Sequence, residues 1–142
     1  MASGIGRARR LYRDCLRQCL AERICVHCGM AAETDDPNVP DSLFGFLYAI
    51  QRPGSGGVTV PVCRECASAS KDIRFATPEA QRRHIDAVLR ARHRRDLAVA
   101  DWEDDEVARL GYVLRTAVLN GIDGRERAEA RLAWPRRRPK GE

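Results

Sequence analysis

Apolar residues recur at helical spacing along most of the chain. Over about residues 8–23 they share one face and arginines surround it, which predicts an amphipathic helix. The same spacing predicts three further helices, over about residues 78–97, 104–119 and 124–134. The chain is therefore expected to be mostly helical.

Capping residues set the expected ends of the later helices. Thr77 suits an N-cap and Pro78 a first helical turn, so a helix is expected to begin there. The pair Asn120-Gly121 predicts the end of the next helix, and Pro135 predicts the end of the last one.

The middle of the chain has shorter and more varied patterns. Prolines and short polar side chains predict a loop over residues 31–42, and residues 43–50 are apolar and aromatic. A flexible turn is expected at residues 52–57, followed by a β-branched strand at 58–62.

Two cysteine pairs flank this region, Cys25-Val-His-Cys28 and Cys63-Arg-Glu-Cys66. In each pair the spacing lets two thiolates of one turn reach the same ion, and together they predict one tetrahedral, structural Zn²⁺ site with no open position. Gly29 lets backbone amides point at the sulfurs. A cysteine turn, a two-stranded ribbon and a helix with the second pair describe a small treble-clef zinc module in an α+β, mostly helical fold.

The remaining cysteines, Cys15 and Cys19, are expected to be buried structural thiols on one helix face. A second metal site would need further ligands, and none remain. A disulfide framework needs an oxidising compartment, and residues 1–20 are too charged for a signal-peptide core. The apolar stretch at residues 43–50 is too short to cross a bilayer. The protein is expected to be cytoplasmic, with no membrane association.

The net charge of +5 comes from 25 Lys and Arg against 20 acids, and it is concentrated at both ends. The basic residues there are Arg7, Arg9, Arg10, Arg136, Arg137, Arg138 and Lys140. They predict either phosphate contacts or solvated tails. The expected organisation is a basic N-terminal helix (1–24), a zinc module (25–76), a helical extension (77–135) and a basic tail (136–142).

Residues 25–132 resemble the HNH endonuclease family. Small members of that family carry Cys-x-x-Cys-Gly, then Asp-His-Val-Pro-Pro, then Val-Pro-x-Cys-Arg-x-Cys-Asn. The corresponding stretches here are Cys25 to Gly29, Pro37-Asn-Val-Pro40 and Val60 to Ala67. The patterns around residues 77–85, 101–111 and 131–135 also look like the helical extension of such proteins.

The resemblance implies a metal-dependent DNA nuclease whose histidine activates water. This chain has Asn38 where that histidine would lie, Pro37 in place of the preceding acid, and Ala67 in place of the asparagine that would orient the catalytic loop. An asparagine amide cannot accept the catalytic proton. The scaffold is therefore expected to lack both catalytic side chains.

Other residues are candidates for the missing chemistry. Asp35 and Asp36 could bind Mg²⁺ or Mn²⁺ in an active enzyme, although Asp-Asp-Pro-Asn also forms ordinary turns. His27 is expected to be exposed or bonded to nearby backbone. His84 and His93 are two and a half turns apart, so they are expected on opposite faces of one helix, as surface residues.

The resemblance places phosphate contacts near the second cysteine pair, where the candidates are Arg64, Lys71 and Arg74, with a solvated helix face as the alternative. Trp102 and Trp134 are expected to be packing anchors. Three functions follow: a zinc-stabilised, HNH-like module that lacks nuclease activity and binds DNA or a protein partner, an active nuclease with a divergent site, or a purely protein-binding adaptor. The sequence gives neither the target nor the oligomeric state.

Overall fold

The computed structural model describes residues 4–51 and 57–139, with side chains from residue 13 onward. The candidates Arg7, Arg9, Arg10 and Lys140, and most of the expected turn at 52–57, lie outside these described side chains. The elements in chain order are α1 (Gly4–Glu22), β1 (Thr34–Asp36), α2 (Phe44–Gln51), β2 (Val60–Val62), α3 (Arg64–Ala69), α4 (Pro78–Arg92), α5 (Arg94–Leu97), α6 (Asp104–Ala108) and α7 (Tyr112–Ala133), with a 3-10 turn at Asp41–Leu43. The expectation of a mostly helical α+β chain is confirmed.

Strands β1 and β2 form an antiparallel ribbon in which Thr34 lies opposite Val62 and Asp36 opposite Val60. The prediction of a loop over residues 31–42 is wrong for β1. Its residues are polar and largely exposed, and β1 obtains its hydrogen bonds from the buried, apolar β2. No described helix is both long enough and apolar enough to cross a bilayer.

Helix α4 begins where its capping residues predict. The hydroxyl of Thr77 accepts a hydrogen bond from the amide of Ala80 at 3.2 Å, and Pro78 occupies the first turn. The helix ends at Arg92, earlier than expected, because His93 leaves the helical conformation. After His93 the chain forms a separate four-residue helix, α5.

The expected helix end at Asn120-Gly121 is wrong. A single helix, α7, runs through both residues, and the break falls earlier, between α6 and Gly111. Tertiary packing accounts for the continuation, because α7 packs along α5 and a Cβ at Gly121 would lie 3.6 Å from Val99. Glycine weakens a helix only by about 1 kcal/mol, which such packing offsets.

One core surrounds the cysteines of both pairs. Its largest buried members outside those pairs are Leu16, Ile24, Leu47, Val62, Ile85, Leu89 and Trp134. Trp134 fits the expectation of a packing anchor, and its indole nitrogen donates to the carbonyl oxygen of Val26 at 3.1 Å. Trp102 does not fit it, since 38% of its surface is exposed and it lies outside this core.

We expect Gly121→Ala to stabilise the protein by about 0.5 to 1 kcal/mol, because the helix gains propensity and the new methyl makes an ordinary contact with Val99. Gly124→Ala is the matched control. Its Cβ would lie 3.1 Å from a carboxylate oxygen of Asp96, so it should gain less. Urea unfolding of both variants measures the difference, and an equal gain at the two sites would contradict this assignment.

Candidate metal centre and adjoining cleft

The four cysteines of the two pairs meet at one buried point. All four sulfurs lie within 4.8 Å of one another, and those of Cys28 and Cys63 are 3.6 Å apart. A tetrahedral ion with metal–sulfur bonds of about 2.3 Å requires sulfurs about 3.8 Å apart. The donor set and the spacing therefore fit a metal ion such as zinc, held by Cys25, Cys28, Cys63 and Cys66.

Backbone geometry holds each cysteine pair in its turn. The amide of Cys25 donates to the carbonyl of Met30 at 2.7 Å, and the amide of Gly29 donates to the carbonyl of Cys25 at 3.0 Å. Gly29 has a φ of 77°, which favours glycine. In the second pair, Cys63 caps α3 and its sulfur accepts from the amide of Cys66 at 3.4 Å. Both turns are ordered by contacts that do not involve the ion.

The four thiols differ in pKa. Hydrogen bonding to Cys25 lowers the pKa of Cys63 to about 6, and hydrogen bonds from Cys25 and its neighbours also lower the pKa of Cys28. Hydrogen bonding within the cluster raises the pKa of Cys25 and of Cys66. A bound cation must displace the remaining protons, so metal affinity should rise with pH.

Arg131 of α7 is a residue that the sequence analysis missed. Its guanidinium lies 3.8 Å from the sulfur of Cys63 and 2.7 Å from a carboxylate oxygen of Glu65, with the side chain only 10% exposed. Burial alone would lower the pKa of Arg131, but the Cys28 thiolate and Glu65 raise it. A permanent positive charge therefore lies beside the sulfurs. Nothing in the local sequence distinguishes Arg131 from the many other arginines of the chain.

Glu65 connects this arginine to the helical extension. Its carboxylate lies 2.7 Å from Arg131 and 2.8 Å from Nε2 of His93. Burial would raise the pKa of Glu65, but these two neighbours lower it overall. The residue stays ionised and links α3 to α4 and α7.

The expectation that His27 is exposed or bonded to nearby backbone is wrong. The ring is 4% exposed, and its Nε2 has no hydrogen-bond partner among the described residues. Burial, and then the charge of Arg82, lower the pKa of His27 to about 4. Arg82 holds this turn by donating to the carbonyls of His27 and Leu132.

The other two histidines face α3 and its surroundings. Nε2 of His84 lies 2.8 Å from the carbonyl oxygen of Ala69, and His93 contacts Glu65. Both are partly buried, so the surface expectation is wrong for them. Among the thiols outside the cluster, Cys19 is buried and Cys15 is half-buried, with their sulfurs 4.0 Å apart.

A cleft of about 590 Å³ lies between β1 and the segment after α3. It is where the proposed nuclease residues meet. Its lining includes Asp35, Asp36, Asn38, Ala67, Lys71, Asp72 and Arg74. Arg64 is not part of the lining and pairs instead with Glu33 at 3.7 Å. No histidine contributes to the lining described for this cleft.

The side chain of Asn38 has a structural role in the cleft. Its Nδ2 donates to the backbone carbonyl oxygen of Ser70 at 2.7 Å. The backbone carbonyl of Asn38 accepts from the side chain of Gln81 at 3.1 Å. The backbone amide of Asn38 donates to the carboxylate of Asp36 at 2.9 Å, which is the turn that the sequence Asp-Asp-Pro-Asn favours. Asn38 therefore joins β1 to α3 and α4.

The acids that line the cleft outnumber its cations. Arg74 pairs with Asp41 at 3.0 Å, and Arg23, outside the cleft, pairs with Asp35 at 2.6 Å. Lys71 lies next to Asp72, an exposed residue in the left-handed conformation. The cleft therefore has no excess of positive charge.

We expect Gly29→Ala to destabilise the protein more than Gly57→Ala, by at least about 1 kcal/mol. The two glycines have nearly the same φ, 77° and 76°, so the backbone penalty is matched. A Cβ at Gly29 would lie 2.4 Å from a ring carbon of Trp134, whereas one at Gly57 would meet no atom within 4 Å. Denaturant unfolding followed by tryptophan fluorescence measures both, and equal losses would exclude the Trp134 contact as the cause.

We expect one tightly bound metal ion per chain, and we expect Cys28→Ala to lose both the ion and the fold of residues 25–76. Elemental analysis and circular dichroism, with and without a strong chelator, measure the two effects. Cys15→Ala is the control, since its thiol lies outside the cluster and should leave the metal content unchanged. A protein that keeps its fold without stoichiometric metal would contradict the assignment.

Comparison with known proteins gives no relative from which a function could be transferred. No family model, no curated protein and no solved structure matches this chain. The function has to be argued from the cluster, the cleft and the surface.

Proposed function

We propose that this protein is a zinc-stabilised, HNH-like module that binds nucleic acid without hydrolysing it. The observation that carries the proposal is the position of Asn38. The resemblance puts the catalytic histidine there, and the asparagine side chain is instead hydrogen bonded to the backbone of Ser70. The residue at the position of the water-activating histidine therefore holds a loop in place, which supports a module that binds without hydrolysing.

A treble-clef identity is supported by the order of the elements. A cysteine turn comes first, the β1–β2 ribbon follows, and the second cysteine pair opens α3. Zinc is the metal that four thiolates in a tetrahedral arrangement favour. With all four positions taken by sulfur, the ion has none left for water or substrate. Its role is to hold the two turns together.

The absence of hydrolysis is supported by the groups that line the cleft. Asp35 pairs with Arg23, and Asp36 accepts the amide of Asn38, so both carboxylates already have partners. No histidine lies in the described lining of the cleft beside these two carboxylates. Hydrolysis of a phosphodiester needs a positioned base and a cation on the leaving oxygen. An active enzyme would have to recruit Mg²⁺ or Mn²⁺ to Asp35 and Asp36 alone.

A nucleic-acid partner is supported by the basic composition and by the dominance of arginine, which contacts phosphate more effectively than lysine. Surface arginines are spread over α1, α4, α5 and the segment after α7. A protein partner is the competing possibility. Salt dependence distinguishes the two, since phosphate binding weakens steeply as salt is added.

We expect the protein to shift DNA in a salt-dependent manner but not to nick supercoiled plasmid with Mg²⁺, Mn²⁺ or Ni²⁺. The comparison is an Asp36→Ala, Asn38→Ala variant, which removes one of the two candidate cation ligands and the group at the histidine position. Nicking by the original protein but not by this variant would show an active nuclease. A protein with neither nicking nor salt-dependent DNA affinity would be a protein-binding adaptor.

A further inference from the structure

The exposed faces of α4 and α5 carry four arginines that form no ion pair with an acid of the described residues. Arg83, Arg90, Arg94 and Arg95 are exposed, and the first two lie on one face, two turns and about 10 Å apart. Arg94 and Arg95 begin α5 directly after the end of α4. We call these four residues the arginine row.

Arg13, Arg17, Arg136 and Arg137 also lack a carboxylate partner among the described residues, but the arginine row differs from them by lying along α4 and the short helix that follows it. None of its members has a carboxylate or a hydrogen-bond acceptor within reach in the part of the chain that the structure describes. Many other arginines do have a carboxylate partner, namely Arg23, Arg64, Arg74, Arg82, Arg109, Arg125, Arg131 and Arg138. Clustered cations without counter-charges repel one another, so the row is destabilising unless an anion binds it.

The nearby acids do not neutralise the row. Asp86 lies on α4 but pairs with Arg82 at 2.8 Å, and Asp96 on α5 lies 3.5 Å from His93. Glu79 is exposed at the start of α4, one turn before Arg83. The row therefore presents net positive charge beyond that first turn.

The shape of this face also suits a nucleic-acid partner. Ala87 and Ala91 are exposed on α4, and their short side chains let the helix approach a surface closely. The opposite face is fixed, because Ile85 and Leu89 are buried in the core. A rigid helix about 10 to 12 Å wide matches the major groove of B-form DNA, about 12 Å wide. The major groove of A-form RNA is too deep and narrow to admit it.

We propose that the arginine row on α4 and α5 is the docking surface for duplex DNA, with the arginines on phosphates and the alanine face toward the groove. This inference rests on the proposed function and assigns it a surface other than the cleft. The row was missed in the sequence because each arginine there resembles all the others. Their position along α4 and α5, together with the lack of a carboxylate partner among the described residues, distinguishes them.

The test compares three double variants that each lower the net charge by two: Arg83→Gln with Arg90→Gln, Lys71→Gln with Arg74→Gln, and Arg109→Gln with Arg115→Gln as the control on α6 and α7. Glutamine has a helix propensity similar to that of arginine, so folding should be retained. Circular dichroism and thermal melting check this. Binding to a labelled 20-base-pair DNA duplex is followed by fluorescence anisotropy over a range of salt concentrations.

We expect the α4 variant to bind the duplex at least about tenfold more weakly at low salt. The slope of log K against log salt should become less steep by about 1.8, since each lost phosphate contact removes about 0.9. The control should lose less than half of that slope. If only the Lys71 and Arg74 variant loses affinity for the duplex, the arginine row is not the docking surface, but the proposed function stands. If the unsubstituted protein does not bind DNA, both the docking surface and the proposed function are wrong.

The form of the nucleic acid gives a second readout. The same protein is tested against single-stranded DNA and against duplex RNA of equal length. Tighter binding to the DNA duplex supports docking in the groove. Equal or tighter binding to either alternative would overturn the groove assignment, even if the α4 arginines were needed.

Discussion

The convergence of four thiols on one point is the constraint on which the rest of the structure depends. It joins a turn at residues 25–28 to a turn at 63–66, and the β1–β2 ribbon lies between them in sequence. Each turn is hydrogen bonded locally, and four thiols at this spacing fit an ion that both turns would share. The apolar core is built around this cluster, so the cysteines organise packing as well as chain topology.

The charge of the centre extends the constraint outward. A divalent ion with four thiolates carries an excess of negative charge, and burying it is costly unless nearby groups offset it. Arg131 supplies a cation against Cys63, and Glu65 with His93 holds that cation in place. Helices α4 and α7 are thereby tied to the centre by electrostatics. The helical extension is part of the metal site's environment and not a separate appendage.

The parts of this fold that could be predicted are those that depend on neighbouring residues. The cysteine spacing defines a turn, and Thr77 caps a helix, because both act within four residues. What failed depends on distant contacts. Gly121 stays helical where Val99, in the segment after α5, lies against it. β1 is a strand because β2 pairs with it, and Arg131 acts on the cluster only because α7 folds back.

The candidate site shows the same difference between features set by neighbouring residues and features set by distant contacts. The sequence drew attention to Asn38 through a resemblance, and the structure shows that it bonds to Ser70 and Gln81. The sequence also gave Lys71 and Arg74 as candidates for phosphate contacts, yet their neighbours include acids. Arginines without a carboxylate partner among the described residues include the row on α4 and α5. Charge counted along a sequence does not show which cations are already neutralised.

The contact between Trp134 and the first cysteine turn has a consequence for biosynthesis. The indole donates to Val26 across 108 positions of sequence. At about 5 to 20 residues per second, a ribosome needs roughly 5 to 20 s to make that stretch. Throughout this interval Gly29 lacks the ring that covers it in the finished fold. The nascent cysteine turn is thus exposed to competing metals and oxidants for longer than most local structure takes to form.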